Sequence, residues 1–186
     1  MKIGFALCGS FCTFSQVFPI MEVLSKKHTI IPILSPAAAG TNSRFGTAEN
    51  HKNRITEICG QTPLCTIEEV EPIGPKKLLD ALIIAPCTGN TLAKLAHSIA
   101  DTSVTMAAKS HLRNGRPVLI ALSTNDALGG AAENIGKLLS RKHYYFVPFS
   151  QDDAVEKPTS MIADFEKLPD ALDAALQEKQ LQPIIL

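Results

Sequence analysis

The sequence has no apolar run near the roughly 18 to 20 residues that a membrane-crossing helix needs. It has no excess of either charge: lysine plus arginine and aspartate plus glutamate number 18 each. That balance excludes a chain-wide nucleic-acid footprint, because backbone binding needs a basic excess or stripe. Met1-Lys2-Ile3-Gly4-Phe5 offers one lysine but no long apolar stretch closing on small residues. No secretory signal is expected, and the chain is assigned to the cytoplasm. The five cysteines, Cys8, Cys12, Cys59, Cys65 and Cys87, contain no C-x-x-C pair. Free thiols in a reducing compartment are expected, and no metal site. Gly-x-Gly-x-x-Gly does not follow the first strand and Gly-Lys-Ser/Thr is absent, so neither the dinucleotide fingerprint nor a Walker loop is present. Repeats, low-complexity tracts and long linkers are missing too, and residues 1–186 are read as one domain.

What is there suits a buried core. Hydrophobic residues make up 45% and charged residues 19%, which excludes global disorder. Short apolar runs at 3–8, 29–34, 81–85, 117–122 and 144–147 read as strands. The run Ala81-Leu82-Ile83-Ile84-Ala85 is apolar on both parities, as a strand buried on both faces must be. Between them lie helix-length stretches at 13–27, 46–59, 88–98, 102–114 and 130–140. In the first of these, Phe14, Val17, Phe18, Met21 and Leu24 recur at helical spacing. Residues 35–40 and 151–157 read as loops. Pro158 is expected to open a last helix running to about residue 178, with Pro169 kinking or splitting it. The alternation predicts a parallel, doubly wound sheet with helices on both faces. The apolar tail 180–186 is expected to pack on its own body or on a neighbouring subunit.

In such sheets ligands bind beyond the carboxyl ends of the strands. Four strand ends here carry small or hydroxylated residues: Gly9-Ser10, Ser35, Thr88-Gly89-Asn90-Thr91 and Ser123-Thr124-Asn125. Glycine admits a ligand close to the backbone, and a helix start supplies free N–H groups and the positive end of a dipole. Two such turns suit the phosphate of a mononucleotide such as FMN without a cationic clamp. Each hydroxyl, taken singly, has a second role open to it, that of a helix cap.

The stretch Ile84-Ala85-Pro86-Cys87-Thr88-Gly89-Asn90-Thr91, with the lysine-bearing helix after it, resembles the Pro-Ala-Ser-Ala-Asn-Thr segment of a flavoprotein superfamily. That superfamily holds cysteine decarboxylases and flavin prenyltransferases. Over the whole chain the sequence is more similar to the family of dipicolinate synthase B subunits of endospore-forming bacteria. The stretches that carry this are 67–100, 122–128, 145–149, Gln151-Asp152-Asp153, Lys157-Pro158 and 180–183. The resemblance implies a flavodoxin/Rossmann-like three-layer α/β/α sandwich that binds FMN. It implies action with the A subunit of dipicolinate synthase, in the mother cell of a sporulating bacterium, to form dipicolinate from a dihydropyridine dicarboxylate by flavin-dependent oxidation. It also implies a homo-oligomer with flavin at subunit interfaces. By the same likeness Gly9 and Ser10 match the first phosphate turn and Ser35 the hydroxyl after strand two. Thr88, Gly89, Asn90 and Thr91 match the second phosphate and ribityl turn. Ser123, Thr124 and Asn125 match the loop beside the flavin ring and substrate, with Asn125 the candidate catalytic residue.

The departures bear on chemistry. Pro72 stands where the decarboxylases carry their catalytic histidine, and Leu122-Ser123-Thr124-Asn125 replaces their Pro-x-Met-Asn. Gly89-Asn90 replaces the prenyltransferases' Met-Lys pair. A decarboxylase or prenyltransferase is therefore the weaker alternative, and a non-catalytic scaffold that lacks flavin stays open. Arg44, Lys109, Arg113 and Lys157 are candidates for the substrate carboxylates, or plain surface charges. Loop 35–46 is a candidate lid or a plain surface loop. His51 is the least unsuitable general base among five histidines. Phe11 and Phe14 pack on the cofactor ring, on a neighbouring subunit or in the core, and Cys87 is a small packing residue or a reactive thiol.

Overall fold

The computed structural model describes residues 1–186. Five strands run parallel: β1 (Lys2–Leu7), β2 (Thr29–Leu34), β3 (Ala81–Cys87), β4 (Val118–Thr124) and β5 (Tyr144–Phe146). They lie side by side in the order β2-β1-β3-β4-β5. All seven residues of β3 are buried, as its two-parity apolar pattern requires. The helices are α1 (Phe14–Ser25), α2 (Pro36–Gly40), α3 (Ala48–Cys59), α4 (Ile67–Val70), α5 (Gly89–Ala96), α6 (Ser103–Leu112), α7 (Ala132–Leu139) and α8 (Leu168–Leu176). α1, α3 and α8 group on one face of the sheet, and α5, α6 and α7 on the other. A continuous core of 47 buried residues joins the three layers.

The sheet is mixed rather than wholly parallel. β6 (Phe149–Asp153) and β7 (Lys157–Ala163) form an antiparallel hairpin, and β7 pairs with the end of β4 through Ser123↔Ile162 and Thr124↔Met161. The first half of β4 thus carries β5 and its second half carries the hairpin. This corrects two expectations, the polar loop at 151–157 and the helix opening at Pro158. Pro158 falls where the β6–β7 register shifts, a place where a missing N–H costs the ladder least. The last helix begins ten residues later, and Pro169 sits in its first turn, where it opens the helix instead of kinking it. Residues 36–40, expected as loop, form α2. Ser35 caps it by accepting the Ala38 N–H at 3.2 Å, and Pro36 presets its first turn.

The chain leaves β1 for β2 on one side and reaches β3 on the other. Strand order therefore reverses between β1 and β3, which leaves a crevice above their carboxyl ends. The C-terminal tail closes on its own body. The Phe149 N–H donates to the Ile184 carbonyl at 3.0 Å, and the Gln180 side chain brackets the Phe146 backbone at 2.7 and 2.8 Å. No helix is long and apolar enough to cross a membrane.

Candidate functional site

The loops after β1, β3 and β4 meet around one open cleft of about 970 Å³. Gly9, Ser10, Thr88, Gly89, Asn90, Ser123, Thr124 and Asn125 all line it. The Ser10 and Ser123 hydroxyls share a hydrogen bond of 2.7 Å, which ties the loop after β1 to the end of β4 across the crevice. Thr13 holds the first turn by closing both its N–H and its hydroxyl on the Ser10 carbonyl, at 3.1 and 2.8 Å.

α5 starts at the floor of this cleft. Thr88 Oγ1 accepts the Thr91 N–H at 3.4 Å and the Thr88 carbonyl accepts the Leu92 N–H at 2.9 Å. The N–H groups of Gly89 and Asn90 remain for a ligand, as the opening N–H groups of a helix do. Gly89 is required by close approach. A Cβ there would fall 2.7 Å from Thr124 Oγ1 and 2.9 Å from Asp126 Oδ1. Those two groups are themselves joined, Thr124 Oγ1 donating to Asp126 Oδ1 at 2.6 Å.

Two of the residues expected at the cofactor stand behind the cleft wall. Ser35 is buried and its hydroxyl is spent on capping α2. The buried Thr91 hydroxyl accepts from Thr88 Oγ1 at 3.3 Å and donates to Cys8 Sγ at 3.2 Å, a stitch between α5 and the end of β1. Both hydroxyls lie next to strand ends, as expected, but they point into the body.

The four candidate cations divide. Arg44 and Lys157 line the cleft, whereas Lys109 and Arg113 line a separate groove between α5 and α6. The Arg44 guanidinium sits over the Phe45 ring at 4.9 Å, and both residues stand at the mouth. Lys157 pairs with Asp152 at 2.8 Å, and that bond raises its pKa. The hairpin supplies Asp152, Ser160, Met161 and Ile162 to the lining. Sequence reasoning missed these together with the hairpin, because Lys157-Pro158-Thr159 reads as exposed and Pro158 also signals a helix start. Asp126 and Asp152 are the carboxylates of the lining, and no histidine is among its residues.

His51 lies instead within a cage of Phe11, Phe14 and Phe18, at ring distances of 6.1, 4.9 and 6.1 Å. Burial lowers its pKa, and its Nε2 has no hydrogen-bond partner. Phe11 reaches the cleft and Phe14 stays in the core. Cys87 is buried, and burial pushes its thiol well above the usual range, as befits a packing residue. Pro72 lies in a 3-10 turn packed on α6, where the neighbouring Gly74 carbonyl accepts from Asn114 at 3.0 Å, away from the cleft lining.

Residues 1–177 match the Flavoprotein family. The chain is 43% identical over all its 186 residues to the B subunit of dipicolinate synthase from Bacillus subtilis (strain 168), covering 93% of that protein. The crystal structure of the B subunit of dipicolinate synthase from Bacillus halodurans C superposes with a TM-score of 0.91 at 40% identity, covering all of this chain and 95% of that one. The FMN-dependent cysteine decarboxylase SpaF shares the fold at a TM-score of 0.70 and 22% identity, over 96% and 97% of the two chains. The mixed seven-stranded sheet, the cleft at its strand ends and these full-length matches agree: the chain belongs to the flavoprotein family and, within it, to the family of the dipicolinate synthase B subunits.

Proposed function

We propose that this chain acts with the A subunit of dipicolinate synthase to form dipicolinate, oxidising a dihydropyridine dicarboxylate with a bound FMN. The observation that carries the reading is the convergence of three glycine- and hydroxyl-bearing loops on one cleft, above a helix start with two uncommitted N–H groups. A volume of about 970 Å³ is at the upper end for small-molecule sites, ~300 to 1,000 Å³, and so has room for a flavin with a substrate beside it. The donor set suits the group. Gly9, Ser10, Thr88 and the Gly89 and Asn90 N–H groups would hold the phosphate and ribityl chain. Ser123, Thr124 and Asn125 would face the ring. Flavin, when bound, supplies a two-electron acceptor for the hydride equivalent that leaves the substrate ring.

The chain's own part is to bind and orient. Arg44 and Lys157, the latter leaving its partner Asp152, would offer cations from the cleft lining to the two substrate carboxylates. Asn125 offers an amide that can donate to or accept from a ring substituent. Of the two carboxylates in the lining, Asp126, bonded only to the Thr124 hydroxyl, would take the proton that departs with the hydride, and aromatisation of the ring makes the net change downhill. Restricting the substrate between these groups lowers the entropic part of the barrier. Phe45, which lines the cleft, and Leu128 and Val155, which follow lining segments in sequence, are exposed at 45%, 52% and 83%. They support an assembly, with further copies of this chain and with its A-type partner, that covers the mouth.

The test is product formation by the isolated A subunit, by this chain with FMN, and by the mixture. Turnover that requires this chain and FMN is expected. Full turnover by the isolated A subunit would contradict the reading and favour a scaffold role.

A further inference from the structure

A second cavity, of about 350 Å³, lies between the C-terminal end of α5, one face of α6 and the start of β5. Leu95 and Leu112 give it an apolar floor, and Lys109, Arg113, Arg141 and Tyr144 stand around it. No aspartate or glutamate is in its lining. The nearest acidic residue in sequence, Asp101, is occupied by Lys94 at 2.8 and 2.9 Å. Arg141 is fixed by donating to the Leu95 and Ala96 carbonyls at 3.1 and 2.7 Å. Lys109 and Arg113 are different. They stand about one helical turn apart, Lys109 in the last turn of α6 and Arg113 at its C-terminal cap, and neither takes part in any of the five ion pairs of the chain. Two like charges at this spacing repel each other, and a bound anion would relieve the repulsion.

We propose that this groove binds a single-ring aromatic carboxylate. The volume is at the small end for ligand sites, which fits one ring and excludes a nucleotide. The leucine floor takes the flat apolar body, while Lys109 and Arg113 take the carboxylate. An inorganic anion would use the cations and leave the floor uncovered. Burial pushes the Tyr144 phenol up to about 12, so it stays protonated and can donate a further hydrogen bond. The proposal stands apart from the reading of the cleft, since the two cavities share no residue.

Isothermal titration with benzoate tests it, with acetate as the probe lacking a ring. Saturable binding to the wild-type chain is expected, with acetate weaker. The double variant K109Q/R113Q, two exposed positions on a helix surface, is expected to lose about tenfold or more in affinity. R44Q/K157Q, altered only at the cleft, is expected to bind benzoate as the wild type does. No heat at millimolar benzoate, equal affinity for acetate, or unchanged binding in K109Q/R113Q would each overturn the proposal. Loss of binding in R44Q/K157Q instead would place benzoate in the cleft, overturning the groove and leaving the cleft reading intact.

Discussion

The cleft and the groove sit at opposite ends of α5 and use opposite means to meet an anion. The cleft lies where α5 begins, and its inner wall is glycine, hydroxyl and amide; its two cations stand at the mouth. The groove lies where α5 ends and along one face of α6, and three cations surround it. The helix dipole accounts for the contrast. A helix start carries about half a positive charge and free N–H groups, so it can hold a phosphate without lysine or arginine. A helix end carries the opposite sign and exposes carbonyls. Arg141 is needed there merely to satisfy the last carbonyls of α5, and further cations must be added before an anion is welcome.

That contrast can be broken at the cleft first. Gly89→Val places carbon where Thr124 Oγ1 and Asp126 Oδ1 already stand and pushes α5 away from the β4 loop. Flavin affinity should fall on the order of a hundredfold, the worth of about two lost hydrogen bonds to a charged group. Equilibrium dialysis reads the loss, and unchanged benzoate binding at the groove reports an intact fold.

Outside the lining of both cavities, a buried histidine of α6 should make stability depend on pH. Folding buries His111, whose Nε2 donates to the Pro117 carbonyl at 3.1 Å while Nδ1 has no partner. Burial lowers its pKa from 6.5 to about 4. Between those values the unfolded chain binds more protons than the folded one. The stabilisation is therefore whole above about pH 6.5 and is lost as pH falls toward 4, by ~2 kcal/mol at pH 5. Urea unfolding at pH 7 and pH 5 measures the drop, and His111→Gln should flatten it.

A smaller effect separates the mouth of the cleft from its wall. Arg44→Gln and Lys157→Gln should each raise KM for the dicarboxylate about tenfold, as loss of one charged hydrogen bond does, and leave flavin affinity unchanged. Smallest of all is the response to salt. Raising ionic strength should weaken benzoate binding a few-fold, since Lys109 and Arg113 are exposed, and flavin binding less, since the wall relies on neutral donors.

The parallel half of the sheet was legible because β1 to β4 are buried on both faces and read as unbroken apolar runs. The hairpin was not. β6 exposes Gln151 and Asp152, and β7 begins with three exposed residues, including a proline that also signals a helix start. Tertiary pairing with β4 decided the matter, and no local pattern carries that information. The same limit applied within the site. Glycine and hydroxyl residues at strand ends marked the cleft, because backbone approach is a property of position. Whether a hydroxyl points outward or caps the next helix is a matter of rotamer and neighbours. Ser10 and Thr88 reached the cleft, whereas Ser35 and Thr91 turned inward. Arg44 and Lys157 are far apart in sequence and adjoin the same cleft only through the loop after α2 and the hairpin.

The most direct measurement is a visible-absorbance titration of FMN with the purified chain. The account predicts a saturable spectral change at micromolar concentrations with one flavin per chain, insensitive to K109Q/R113Q. A featureless titration at those concentrations, or binding lost in K109Q/R113Q, would contradict a flavin seated at the carboxyl ends of β1, β3 and β4.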